Sequence, residues 1–308
     1  MSNPAPRGRA ILCALMLSTA VMATALSGAA ATPEPAVQTR AAFASDRLSV
    51  EVVGSGPDII LIPGLASSRE VWRPLANRLS ATHRVHLVQL AGFAGEPWVH
   101  GDGPFVQPEV EELARYTAEA GLERPAIIGH SMGGLSGLLL AQQRPERVGR
   151  LMIVDALPFY SALFGPTVTV ETARPVAAQM AAAMIAADAA TYRTQQTQAA
   201  QGLARDPAIR EAMVAWSLAS DRRAVAAAFS DVVTTDARPG LAAMTTPVTA
   251  LYATDADGGP PPALAQALWT QEYATLPRVR LVRIDGARHF IMADQPALFD
   301  AAVDEFLR

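Results

Sequence analysis

Ser131 stands in Gly129-His130-Ser131-Met132-Gly133-Gly134, with a glycine two places before it and another two places after. An apolar stretch, residues 125–128, runs into this motif and a helix-like run, 135–143, leaves it. That order puts the serine on a sharp strand-to-helix turn that exposes its hydroxyl, where bulkier flanking residues would clash. A serine hydroxyl is a weak nucleophile near neutral pH and needs a base within hydrogen-bond reach. Of the five histidines, His289 has the fitting place, in Asp285-Gly286-Ala287-Arg288-His289-Phe290, after the last apolar strand and before a closing helix. The others fit less well. His83 and His86 flank or sit within a strand, His100 lies in a loop, and His130 abuts the serine, where a histidine more often packs than reacts. The chemistry expected of the pair is acyl transfer to water: Ser131 attacks a carbonyl, His289 takes and returns its proton, and the acyl-enzyme is then hydrolysed.

The elements that must position these residues are legible as alternating runs. Short apolar stretches at 48–53, 58–62, 84–90, 126–129, 150–155, 247–252 and 279–284 read as strands. Helical segments such as 71–79 and 110–120 lie between most of them, which predicts an α/β three-layer sandwich: a mostly parallel sheet with helices on both faces. The alternation breaks once. Residues 158–240, rich in Ala, Gln and Met, read as a helical cap inserted before the next strand, with Asp206-Pro207 and Ser220-Asp221 opening two of its helices. Met180, Met184 and Met213 are expected to serve helix packing.

Composition narrows the function classes. The chain has 308 residues, 50% hydrophobic and 18% charged, as a well-packed globular protein should. It contains no lysine, which excludes Schiff-base lysines, pyridoxal-phosphate anchors and Walker-type phosphate lysines. Arg7 and Arg9 precede an apolar run over 10–26 that gives way to small residues, the pattern of a signal peptide cut near Ala31. Residues 32–46 then read as an extended leader. The expected location is outside the cytoplasm, in the periplasm or the medium, with no stable membrane anchor after cleavage. The only cysteine, Cys13, would leave with the signal, so no intramolecular disulfide is expected in the mature chain. The formal charge of -4 argues against nucleic acid or anionic membrane as a partner, and the expected partner is a small-molecule substrate. The scheme needs no cofactor, and His and Cys are too sparse to suggest a metal site. Oligomeric state is left open.

The elbow serine, the late histidine, the stretch Leu61-Ile62-Pro63-Gly64-Leu65 and the helical insertion together resemble the α/β-hydrolase family over nearly the whole mature chain. The resemblance implies an oxyanion hole made by the backbone N–H groups of Leu65 and Met132. It also implies an acid at one of two strand ends. Asp155, which ends 151–154, resembles the placement in some haloalkane dehalogenase relatives, whereas Asp255 follows the strand the family uses more often but misses its usual Gly-x-x-Asp spacing by one residue. Asp257 misses it in the other direction. Asp155 is the first choice and Asp255 the alternative. The implied activity is ester hydrolysis, carboxylesterase-like; a serine rather than an aspartate at the elbow speaks against dehalogenation. An aminopeptidase or amidase is the alternative; it would need an acidic or amide-binding group in the cap, where Glu171 is a carboxylate that nothing singles out, and a non-catalytic ligand-binding protein is the alternative of another class. Leu157, Pro158, Phe159, Tyr160, Leu163 and Phe164, where cap meets sheet, read equally as acyl pocket or as buried hinge.

Overall fold

Ile59, Ile60, Leu61 and Ile62 are all fully buried, although neighbouring residues on a strand point to opposite faces. Such a run requires apolar cover on both sides of a sheet, and the fold supplies it. A computed structural model of the chain describes residues 43–258 and 261–308, which belong to one unit, Ala42–Arg308. The signal peptide and cut site expected over 1–31, and residues 32–42 of the expected leader, lie outside the described residues.

Seven strands form one sheet: β1 (Leu48–Gly54), β2 (Asp58–Ile62), β3 (Arg84–Leu90), β4 (Ala126–His130), β5 (Arg150–Val154), β6 (Val248–Thr254) and β7 (Arg280–Asp285). Their order is β1-β3-β2-β4-β5-β6-β7; β1 pairs antiparallel with β3 and every other pairing is parallel. All seven expected strands are present. Alternate residues feed two cores. Ile60, Ile62, Ile127 and Ile153 join α2 (Val106–Glu119), α3 (Met132–Gln143) and α8 (Pro262–Glu272) on one face. Ile59, Leu61, Ile128 and Val154 join α1 (Arg73–Leu79), the single turn α9 (Ile291–Asp294) and α10 (Pro296–Leu307) on the other. Each fully buried aliphatic side chain of this kind contributes about 1.5–3 kcal/mol.

The first helix is preceded by a short 3-10 turn, Arg69–Trp72, so α1 proper starts later than the pattern over 71–79 suggests. The second starts earlier than 110, at Val106, because Asp231 Oδ2 accepts the Phe105 and Val106 amides at 2.7 and 3.0 Å. The capping acceptor sits 125 residues away, where no local pattern reveals it.

Between β5 and β6 the chain builds α4 (Val170–Ala186), α5 (Ala189–Leu203), α6 (Pro207–Ala219) and α7 (Arg222–Thr234). Each has a side-chain N-cap, from Thr169, Asp188, Asp206 and Asp221. Asp206 caps α6 as the Asp-Pro pair predicts. Ser220 leaves the capping of α7 to Asp221 and instead takes the Ala94 amide on its Oγ at 2.9 Å, tying this insertion to the loop after β3. Among the described residues no helix is long and apolar enough to cross a membrane.

Candidate active site

Ser131 has φ 53° and ψ -123°, a sparsely populated conformation for a residue with a side chain. Its surroundings over-determine it. The Ser131 amide donates to Val154 O at 2.9 Å, and Ser131 O accepts from Gly134 and Leu135 at 2.8 and 3.1 Å, starting α3 directly after β4. The glycines of the motif are there for space. A Cβ on Gly129 would lie 2.2 Å from Gly133 O, and one on Gly133 would lie 2.5 Å from Ile62 O and 2.6 Å from Pro63 O. The turn carrying the serine is therefore packed backbone to backbone against the end of β2, which brings the loop of Leu65 beside it.

Ser131, His289, Leu65 and Met132 line one cavity of about 430 Å³. The amides of Leu65 and Met132 donate to no group of the protein among the described residues; that of Met132 opens α3, where the first N–H groups have no partner within the helix. Both sit where the resemblance places the oxyanion donors.

The two candidate acids differ sharply. Asp155 Oδ2 lies 2.8 Å from His289 Nδ1, while its Oδ1 accepts the Ala253 amide of β6 at 2.9 Å. Like the serine, Asp155 has positive φ, 51°, with its own amide held by Leu251 O. Asp255 does not face the histidine. It is buried and bound to Arg205 Nη1 at 2.5 Å and Arg288 Nε at 2.8 Å. Burial opposes its ionisation, but the Arg288 hydrogen bond, the Asp257 amide and the charges of both arginines outweigh that and hold its carboxyl below the usual range. Asp257 is exposed and reaches only Arg205, at 3.4 Å. Of the aspartates at the strand ends, Asp155 is the one that meets His289.

His130 is packed in the interior. It is fully buried, and its Nε2–H donates to His289 O at 3.0 Å. Burial and the neighbouring His289 push its pKa well below the ordinary histidine value, so the ring is neutral. Because a carbonyl only accepts, the proton must sit on Nε2, and the buried Nδ1 has no partner. His130 is thereby a prop for the backbone of His289. His86 is also removed from the site, between Asp58 and Tyr116.

The cap roofs the cavity. Leu157, Tyr160 and Leu163 line it, whereas Phe159 is buried in the core and Phe164 is largely exposed, so the segment joining cap to sheet is part pocket and part hinge. Met184 and Met213 pack against the two cores, as expected of helix packing, and line the cavity as well; Met180, also expected to pack, is instead exposed. Glu171 is exposed at the start of α4 and does not line the cavity. Arg205, Arg288 and Asp294, which the sequence did not single out, join Asp255 in a cluster beside the loop that carries His289; the placement of Arg288 next to His289 is the only local signal of them.

A model of the alpha/beta hydrolase family matches residues 59–302. The chain belongs to the alpha/beta hydrolase family. This alpha/beta hydrolase is similar to the pimeloyl-[acyl-carrier protein] methyl ester esterase of Aeromonas salmonicida, at 34% identity over 115 residues, 37% of this chain and 44% of that one. The chain spans less than half the length of the first curated relatives it matches. The protein of the same name from Edwardsiella ictaluri is 29% identical over 262 residues, 81% of this chain and 92% of that one. A solved hydrolase from Pseudomonas aeruginosa superposes with a TM-score of 0.70 at 22% identity, over 84% of this chain and 94% of that one, a likeness of fold.

Proposed function

We propose that this alpha/beta hydrolase is a serine ester hydrolase acting on a small-molecule ester. The observation that carries the reading is the joint placement of the elbow serine and the Asp155–His289 pair, with its 2.8 Å hydrogen bond, on one roofed cavity. In this reading Ser131 Oγ attacks the ester carbonyl carbon and passes its proton to His289 Nε2. Asp155 fixes the Nδ1–H tautomer and stabilises the imidazolium that forms. The oxyanion is held by the Leu65 and Met132 amides, each typically contributing about 10²- to 10³-fold in rate. His289 returns the proton to the leaving alcohol, and a water then attacks the acyl-enzyme by the same route.

The cavity lining supports an uncharged, largely apolar acyl or alcohol group: Leu157, Leu163, Met184, Met213 and Phe229 face it, and the guanidinium of Arg288 is committed to Asp255. The name shared by the sequence relatives, methyl ester esterase, agrees with ester chemistry. Hydrolysis of p-nitrophenyl butyrate by the wild type, against Ser131→Ala and His289→Ala of verified fold, tests the reading; turnover that survives either substitution sinks it. Export behind a signal peptide cut near Ala31 belongs to the same proposal. The intact mass of protein recovered from a periplasmic extract checks it, the expected mass being that of a chain starting close to Thr32.

A further inference from the structure

Asp255 stands at the strand end from which the family more often takes its acid, yet it is 2% exposed and turned to other partners. Its Oδ1 accepts from Arg205 Nη1 at 2.5 Å and from the Asp257 amide at 3.1 Å, and its Oδ2 accepts from Arg288 Nε at 2.8 Å. Arg205 lies in the α5–α6 turn of the cap, and Arg288 is the residue before His289. One buried carboxylate therefore holds a cation from the roof and a cation from the loop of the base. Asp294 repeats the pattern with backbone groups. Its Oδ1 accepts the Arg205 and Asp206 amides at 2.8 and 2.9 Å, and its Oδ2 accepts the Arg288 amide at 2.8 Å. Two direct bonds close the seam: Phe290 N to Leu203 O at 3.2 Å and Arg288 Nη1 to Gln201 O at 2.5 Å.

We propose that Asp255 and Asp294 latch the cap's α5–α6 turn to the loop carrying His289, so that the roof of the cavity and the position of the base are set together. Asp255, Asp294, Arg205 and Arg288 are then positioning residues. The inference rests on the reading of His289 as the base. The physical argument is one of supports. The imidazole has a single anchoring hydrogen bond, to Asp155, so its aim depends on the backbone of residues 286–290. On the sheet side that backbone is held by the Gly286 amide on Thr254 O and by His130 on His289 O. On the other side it is held by Asp294 and by Leu203, and Asp294 in turn is tied to the cap. Charge-assisted bonds to a buried carboxylate are among the stronger ones available, and removing one partner leaves the other charge uncompensated. A displaced cap thus displaces the base as well as opening the cavity.

Arg205→Met removes the cap's half of the charged latch at a partly exposed side chain, and Asp255→Asn removes the shared carboxylate charge. For each, hydrogen–deuterium exchange by mass spectrometry is followed over 201–207 and 286–294, beside steady-state hydrolysis of p-nitrophenyl acetate, whose acyl group is too short to fill the cavity. The latch predicts that Arg205→Met, with unchanged circular dichroism, speeds exchange in 286–294 as well as in its own turn. It also predicts that kcat on the acetate ester falls roughly 10- to 100-fold with KM nearly constant, the scale expected of a misplaced base. Exchange changes confined to 201–207, or a kcat that stays at the wild-type value, overturn it. A loss seen in KM alone also overturns it, since the cap would then shape binding without placing the base. If the wild type turns over no ester, the functional reading fails on its own, and the spread or confinement of exchange still decides whether the two loops are latched.

Discussion

Asp155 Oδ2 and His289 Nδ1 meet at 2.8 Å across 134 positions of sequence. The contact is built from two strand ends: Asp155 leaves β5 with its second oxygen fixed by the Ala253 amide of β6, and His289 follows β7. Asp155→Asn should therefore lower kcat on p-nitrophenyl butyrate by about 10³- to 10⁴-fold, since an amide neither enforces the right tautomer nor stabilises the imidazolium. Asp255→Asn should cost far less, and steady-state kinetics on both variants measures the gap. Equal losses would contradict the assignment of the acid.

Gly133 is the point where the elbow touches the end of β2. With the nearest atoms to an added Cβ being backbone oxygens at 2.5 and 2.6 Å, Gly133→Ala must push the elbow and the Leu65 loop apart. The expected result is a drop in activity on the order of 10²-fold together with a lower melting temperature. Calorimetry and ester kinetics check the two effects. A variant as stable and active as the wild type would show that the elbow tolerates a wider gap.

Acyl chain length should matter, because Leu157, Met184 and Met213 present apolar surface to the cavity. Each methylene that becomes buried is worth up to about 0.8 kcal/mol, so kcat/KM should rise severalfold per added carbon until the space is filled. Met213→Trp should flatten that rise while leaving acetate hydrolysis little changed. A p-nitrophenyl ester series from acetate to decanoate on both proteins provides the comparison.

Glu109 is 2% exposed in α2, with Ser136 Oγ donating to its Oε2 at 3.0 Å and no partner on Oε1. Burial pushes its carboxyl from 4.5 up to about 8 against the lowering effect of the Ser136 bond. The folded state thus keeps a proton that the unfolded chain has released. The stability this group contributes is complete below about pH 4.5 and is lost as the pH rises to about 8. Glu109→Gln cannot ionise, so it should gain on the wild type by on the order of a few kcal/mol between pH 5 and 9. Urea unfolding at those two pH values reads the difference.

What the sequence made legible follows from range. The strands, the elbow and the late histidine are carried by local features: apolar runs, a glycine-flanked serine, a histidine between a strand and a helix. Asp155 and Asp255 both stand at strand ends, and only contacts made across the fold separate them: His289 meets Asp155, whereas Arg205 and Arg288 hold Asp255. Those arginines come from 50 and 33 residues away, and no spacing rule links them to Asp255. The start of α2 was misplaced for the same reason, since Asp231 supplies its cap from α7. Met184 and Met213 both pack and line the cavity, and helical spacing alone cannot show the second role.

The most direct test of the central claim is covalent labelling of the folded protein with a fluorophosphonate, followed by intact mass and peptide mapping. The account predicts one label per chain, on Ser131, and its loss or severe slowing in His289→Ala and Asp155→Asn. A folded wild type that takes no label, or takes it on another residue, would contradict the assignment of Ser131 as an activated nucleophile.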